Sequence, residues 1–254
     1  MTKNLVSIIM PYYKKRNFFY KSFFSAYNQT YKNFEIIIIY DDKSKKDLKF
    51  IKKIILNRKK VKLLINNKQQ GVGPARNLGI KKSKGKFLAF LDCDDLWHKK
   101  KLEIQIKYML KNRIKLCFTS YNVIDEKDHF LDKRKCQKKI CFHDLKYACD
   151  IGLSTVVIDR QFFKKKIFFP NLKTKEDYVL WLKLSKSNNC FYGINKTLTY
   201  WRKTTNSLSS STFQKLKDGF NVYNKYMKYN YFKSFLHLIY LSLNYLKKTK
   251  NWFA

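Results

Sequence analysis

Acidic residues are scarce in this chain, 18 Asp and Glu against 55 Lys and Arg, yet seven of them fall into three tight groups. The groups are Asp41-Asp42, Asp92-Cys93-Asp94-Asp95 and Glu176-Asp177. Adjacent carboxylates repel, so each group costs stability unless a cation or hydrogen-bond donors satisfy it. An Asp92-x-Asp94 pair can hold one hard cation through one or two carboxylates, with water and phosphate oxygens as the other ligands, as Mg²⁺ is commonly bound. A polar turn with Asp95 capping the next helix accounts for the same motif about as well when it is taken alone. The apolar lead-in Phe87 to Leu91 and the trailing Leu96-Trp97 tip the balance toward a ligand site.

A carboxylate at Asp42 can accept a hydrogen bond from a base or ribose. A strand-to-helix turn, with Asp and Ser44 accepting from backbone N–H groups, is the stronger account of that pair alone. Gly71-Val72-Gly73-Pro74-Ala75-Arg76-Asn77-Leu78-Gly79 holds three of the seven glycines. Glycine lets backbone approach a ligand, a helix start favours an anion, and Arg76 can face a diphosphate. The segment fits neither GxxxxGK[ST] nor the dinucleotide fingerprint, and a plain loop-to-helix turn competes strongly. Glu176-Asp177 suits a general base at a helix start. Thr174 with Asp177 three residues on also reads as a capping box.

These residues need a frame. Leu5 to Met10, Phe34 to Tyr40, Val61 to Ile65 and Phe87 to Leu91 are short apolar runs expected as buried parallel strands. Between them Phe19, Phe23 and Ala26, then Asp47 to Asn57, then Gly73 to Ser83, carry helical spacing, and Leu102 to Leu110 follows. That alternation predicts right-handed crossovers and a parallel sheet covered on both faces, with ligands outside the carboxyl ends of the strands. Two acid groups fall there. Beyond residue 113 the expected elements are strands at Leu116 to Ile124 and Ser154 to Ile158, a helix at Lys175 to Ser187, one or two strands at Cys190 to Trp201, and helix from Phe213. The shift at Asn206 to Ser211 marks the best boundary, before a helical tail.

The 254 residues suit one large domain, and 45% hydrophobic content excludes wholesale disorder. Six Cys without a CxxC pair read as buried cytosolic thiols, neither bridges nor zinc ligands. The net charge of +37 invites a nucleic-acid partner. However, the basic residues are 48 Lys and 7 Arg spread along the whole chain, the bias of an AT-rich genome and a solvated surface. No apolar run reaches the ~18 residues of a spanning helix, and no targeting segment is visible. The expectation is a cytoplasmic protein.

Together the motifs are specific. Val6 to Tyr13, Ser25 to Ser44, Gly71 to Gly79, Phe90-Leu91-Asp92-Cys93-Asp94-Asp95-Leu96-Trp97 and Glu176-Asp177-Tyr178-Val179-Leu180-Trp181 resemble, in order, the segments of the family 2 glycosyltransferases. The likeness is strong over 5–112, fair over 150–209 and absent in the tail. It implies a GT-A fold: a Rossmann-like, mostly parallel sheet flanked by helices. A domain over 1–210 is expected, with a nucleotide-binding half to about 112 and an acceptor half beyond it, followed by a tail over 211–254.

The resemblance also implies inverting transfer from a nucleotide-diphospho-sugar, usually a UDP-sugar, to a glycan or lipid-linked acceptor. By motif position Pro11 to Tyr13 and Asp42 would hold the base, and Asp92 would contact the ribose side. Asp94 would ligate Mn²⁺ or Mg²⁺, Asp177 with Glu176 would serve as the catalytic pair, and Arg202 would lie near the phosphates. Lys14 stands where the family usually has Asn, and Lys43 where it usually has Gly. The aromatic and basic tail suits the inner face of a membrane; a helix pair packed on the core, or a dimer contact, accounts for it equally. A nucleotidyltransferase on a similar sheet, or a basic nucleic-acid-binding protein, are the competing readings. The second leaves the acid groups unexplained.

Overall fold

The computed structural model describes residues 4–66, 68–163, 168–186, 189–205 and 211–250, with side chains to 247. β1 (Val6–Tyr12) leads into α1 (Arg16–Tyr27), β2 (Phe34–Tyr40) into α2 (Lys45–Ile55), and β3 (Val61–Ile65) into α3 (Val72–Lys82). Then come β4 (Phe87–Phe90), β5 (Leu96–Trp97) and α4 (Lys101–Asn112). The second half runs β6 (Leu116–Ile124), β7 (Phe130–Arg134), β8 (Lys139–Ile140), α5 (Phe142–Leu145), β9 (Val157–Asp159), α6 (Glu176–Ser185) and β10 (Phe191–Arg202). α7 (Thr212–Asn221) passes through a π turn (Val222–Tyr226) toward α8 (Tyr231–Lys250).

All ten strands join one sheet, ordered β3-β2-β1-β4-β9-β6-β10-β5, with β7 on β6 and β8 on β10. The first four are parallel, as their apolar runs predict. The second half is mixed: β9 runs antiparallel to both β4 and β6, whereas β6 and β10 are parallel. Chain order reverses at β1, between β2 and β4, so a crevice opens beyond the carboxyl ends of β1 and β4.

Alternation along β1 splits the core. Val6, Ile8 and Met10 pack with Phe19 and Phe23 of α1, Ile51 of α2 and Leu102 of α4, while Ile9 faces the other side with Ala75 of α3 and Trp181 of α6. The four isoleucines of β2 are wholly buried, as a sheet covered on both faces requires. α3 lies close to the sheet because Gly79 has no side chain; a Cβ there would come within 2.7 Å of Ile9 and 2.8 Å of Ile39.

Three expectations need correction. Cys141 and Cys190 form a disulfide, although a set of free thiols is expected. The cause is non-local: β8 pairs antiparallel with Phe191 and Tyr192, which brings residue 141 beside residue 190 across 49 residues. Of the other four cysteines, Cys93 and Cys117 are buried, whereas Cys136 and Cys149 are partly exposed. Residues 154–155 form a 3-10 turn rather than strand, and β9 begins only at Val157. Thr174 does not cap α6. Its N–H and hydroxyl both donate to Asp218 of α7 (2.9 Å each), and Lys175 takes the cap position in a left-handed conformation (φ 67°).

The tail is tied to the core. Tyr223 joins Tyr178 through their hydroxyls (2.9 Å), and Asn244 donates to the Tyr147 carbonyl (2.8 Å). α8 buries Ser234, His237 and Leu241, while Phe232, Phe235, Leu236, Ile239 and Leu243 face outward. The 206–210 boundary, Trp252 and Phe253 lie outside the described residues.

Candidate active site

The three acid groups sit where the chain order reverses. Asp41 and Asp42 end β2, and they do different work. Asp41 is buried and accepts from Asn66 Nδ2 (2.6 Å), the Gln70 N–H (3.1 Å) and the Gly71 N–H (2.9 Å). It therefore supplies the anion at the start of α3, where Gly71 adopts φ 96°. Asp42 accepts the N–H groups of Lys43 (2.6 Å), Ser44 (3.1 Å) and Lys14 (2.8 Å). Lys14 is left-handed (φ 49°), a conformation asparagine takes more readily; Lys43 is not among the positive-φ residues, so its turn needs no glycine.

Arg76 brings the other two groups together. It projects from α3, is 3% exposed, and pairs with Asp92 Oδ1 through Nη2 (2.6 Å) and with Glu176 Oε1 through Nη1. Burial disfavours its charge, but Asp92 and Glu176 more than restore it. The ring of Phe169 lies beneath the guanidinium at 5.4 Å, held by a two-way bond between the Phe169 backbone and the Asn77 side chain (2.8 and 3.0 Å). The arginine expected to face a diphosphate thus clamps two carboxylates.

A cavity of about 130 Å³ opens beside this clamp, lined in part by Arg76, Asp92, Asp95, Glu176 and Asp177. Asp177 differs from its neighbours. No ion pair is found for it among the described residues, and Oδ1 accepts only the N–H of Tyr178 (2.7 Å). Burial raises its carboxyl above the usual range against the pull of Arg76. Burial likewise lifts Glu176, to about 7. Asp95 is satisfied instead by the Ser154 hydroxyl (2.5 Å) and the Arg202 N–H (2.9 Å).

The cavity excludes five expected positions, Pro11, Tyr13, Asp42, Asp94 and Arg202. Pro11, Tyr13 and Asp42 gather at the ends of β1 and β2, and Asp94 points toward Lys15, whose Nζ is 2.6 Å from Oδ2. Arg202 also turns away. Its guanidinium holds the carbonyls of Asp94 (2.8 Å) and Asp125 (2.6 Å) and pairs with Asp128 (2.5 Å). Residues that belong to none of the motifs also line it: Tyr121, Gly152, Leu153, Ser154, Thr155 and Thr199. Trp201, at the end of an expected strand, lines it too. Ser154 is the junction, since its carbonyl also accepts Trp97 Nε1 (2.8 Å).

No group of three or more metal-ligating side chains occurs among the described residues. The donors available are the hard carboxylates Asp92 and Asp94. Such a set fits a Mg²⁺ or Mn²⁺ ion that takes its remaining ligands from phosphate and water.

The family model described as Glycosyl transferase family 2 matches residues 7–169. A similar chain is the UDP-Glc:alpha-D-GlcNAc-diphosphoundecaprenol beta-1,3-glucosyltransferase WfgD of Escherichia coli, 36% identical over 97% of this chain and 94% of the relative. The putative teichuronic acid biosynthesis glycosyltransferase TuaG of Bacillus subtilis is 30% identical over 97% and 98%. Among solved structures, residues 1–349 of S. aureus TarS in complex with UDP-GlcNAc superpose with a TM-score of 0.73 at 18% identity, over 92% of this chain and 70% of that one. That likeness establishes the GT-A fold.

The raised carboxyls give stability a definite pH dependence. A proton binds Glu176 more tightly in the folded protein than in the unfolded one. Its contribution, on the order of 3 kcal/mol for a shift from 4.5 to about 7, is complete below the unfolded value and lost as pH rises through 7. Denaturant midpoints are expected to fall from pH 5 to pH 8, with a clearly shallower fall in Glu176→Gln. Identical slopes would contradict the assignment.

Proposed function

The chain belongs to glycosyl transferase family 2, and from that premise we propose that it moves a sugar from a UDP-sugar to a hydroxyl of a lipid-linked glycan, with inversion at the anomeric carbon. One observation carries the reading. In the cavity Arg76 neutralises Asp92 and Glu176, and Ser154 with the Arg202 N–H satisfies Asp95, which leaves Asp177 as the carboxylate open to a substrate proton.

The proposed chemistry is a single displacement. An acceptor hydroxyl gives its proton to Asp177 as its oxygen attacks the anomeric carbon, and the bond to the nucleoside diphosphate breaks on the opposite face. Burial makes Asp177 a better base than a free carboxylate, because its conjugate acid holds the proton more strongly. Glu176, tied to Arg76, fixes the first turn of α6 and with it the direction of Asp177. Pro11, Tyr13 and Asp42 offer the base-binding end at the tips of β1 and β2. Asp94, with Asp92 beside it, would hold Mn²⁺ or Mg²⁺, which offsets the charge of a departing diphosphate when bound. Arg202 serves this arrangement by bracing the Asp94 backbone. The proposed domain division is a catalytic unit to about residue 210, with a nucleotide-binding half to about 112, followed by the tail.

The acceptor proposal rests on the E. coli relative, whose acceptor is a diphosphoundecaprenol-linked sugar. No helix among the described residues is long and apolar enough to cross a membrane. α8 nevertheless presents an outward row of Phe232, Leu236, Ile239 and Leu243, with Phe232 74% exposed, flanked by Lys233 and Lys247. An apolar row with basic flanks suits a helix lying in the interface of an anionic membrane. There it would keep the site near a lipid-borne acceptor.

Two outcomes are expected. Asp177→Asn should lower transfer by about 10²–10⁴-fold while calorimetric UDP-sugar binding stays nearly unchanged. Undiminished transfer would remove Asp177 from the reaction. Wild-type protein should co-sediment with phosphatidylglycerol vesicles, and a Phe232→Ser, Ile239→Ser, Leu243→Ser variant should remain in the supernatant. Equal sedimentation of the two would exclude α8 as the membrane face.

A further inference from the structure

Lys15 occupies the junction of β1 and α1, and its backbone is fixed on both sides. Before it, the Lys14 N–H donates to Asp42 (2.8 Å). After it, the Lys15 carbonyl accepts the N–H groups of Phe18 (3.1 Å) and Phe19 (2.9 Å), the opening bonds of α1. From this anchored position the side chain reaches the loop after β4, where Nζ lies 2.6 Å from Asp94 Oδ2. The Asp94 backbone is held from the other direction by Arg202. Both side chains of the ion pair are shielded, 24% exposed for Lys15 and 16% for Asp94, so solvent screens it less than a surface pair.

A divalent ion at Asp94 needs the carboxylate oxygen that this ammonium already holds. The ammonium is tethered, so its effective concentration at Asp94 is high whatever the salt outside. We propose that Lys15 is an internal counter-ion that guards the cation position at Asp94. The free protein then binds a divalent ion weakly, and binds it well only when a nucleoside diphosphate supplies oxygens both to the ion and to the displaced ammonium. This inference rests on Asp94 being the residue that holds the metal. It adds an order of events: nucleotide before, or together with, metal. Asp42, at the turn assigned to the base, holds the residue next to Lys15, so the nucleotide end and the cation position share one short loop.

The test is Mn²⁺ titration of the full chain, followed by the electron paramagnetic resonance signal of free Mn²⁺, with and without UDP. Wild type, Lys15→Met, Lys15→Arg and Asp94→Asn are compared, each checked for native circular dichroism. Without UDP, Lys15→Met should bind Mn²⁺ about tenfold more tightly than wild type. Lys15→Arg, which keeps the cation, should resemble wild type, and Asp94→Asn should bind none. With UDP the gap between wild type and Lys15→Met should narrow to about twofold. Equal or weaker Mn²⁺ binding by Lys15→Met, still lost in Asp94→Asn, would overturn the guard role and leave the Asp94 assignment intact. Mn²⁺ binding unaffected by Asp94→Asn, or absent in every variant even with UDP, would overturn that assignment and the inference with it.

Discussion

A single buried guanidinium sets the terms for the rest of this site. Arg76 has carboxylates on two of its arms, one from the loop after β4 and one from the start of α6. Those elements are 84 residues apart in sequence, and without the arginine their charges would repel in a poorly solvated space. The clamp therefore sets where α6 begins relative to the sheet, and hence where Asp177 points. Breaking such a pair is costly because the surviving charge stays buried. The supports around Arg76 follow the same need: Phe169 beneath its face, Asn77 holding Phe169, and Gly79 letting α3 settle close to β1 and β2.

The two halves of the crevice use carboxylates in opposite ways. At the ends of β1 and β2, Asp41 and Asp42 spend their oxygens mainly on backbone N–H groups, with Asn66 Nδ2 added at Asp41, and shape loops. At the reaction end, Asp92, Asp95 and Glu176 are satisfied by side chains or by a distant strand, and Asp177 keeps its remaining capacity. Asp94 lies between the two regimes, paired with a single lysine, Lys15.

The frame of the molecule was legible because its signals are local. The apolar runs of β1 and β2 and the Phe19, Phe23, Ala26 spacing of α1 each need only a short window. The acid groups stood out because the background is so rich in lysine. What escaped reading depends on contacts between distant segments. Nothing near Arg76 says that it faces carboxylates rather than phosphates; that depends on α6, a hundred residues away. Ser154 and Tyr121 carry no motif and matter only because the turn before β9, and β6, pass beside the loop after β4. The Cys141–Cys190 bond depends on the pairing of β8 with β10. Thr174 followed by Asp177 is a fair local capping signal, yet Asp218 of α7 claims the threonine. Helical spacing from Phe213 onward is a local signal, but spacing alone does not say which face of α8 turns outward.

The central claim is that Arg76 and Glu176 act as one unit that organises the reaction end of the crevice. A double-mutant cycle at pH 8, where Glu176 is ionised, tests it most directly, using urea unfolding of wild type, Arg76→Met, Glu176→Gln and the double variant. The account predicts that the double variant is less destabilised than the sum of the single changes by about 2 kcal/mol. Additivity to within about 0.5 kcal/mol would mean that the two side chains act independently, and the clamp would not be what holds the site together.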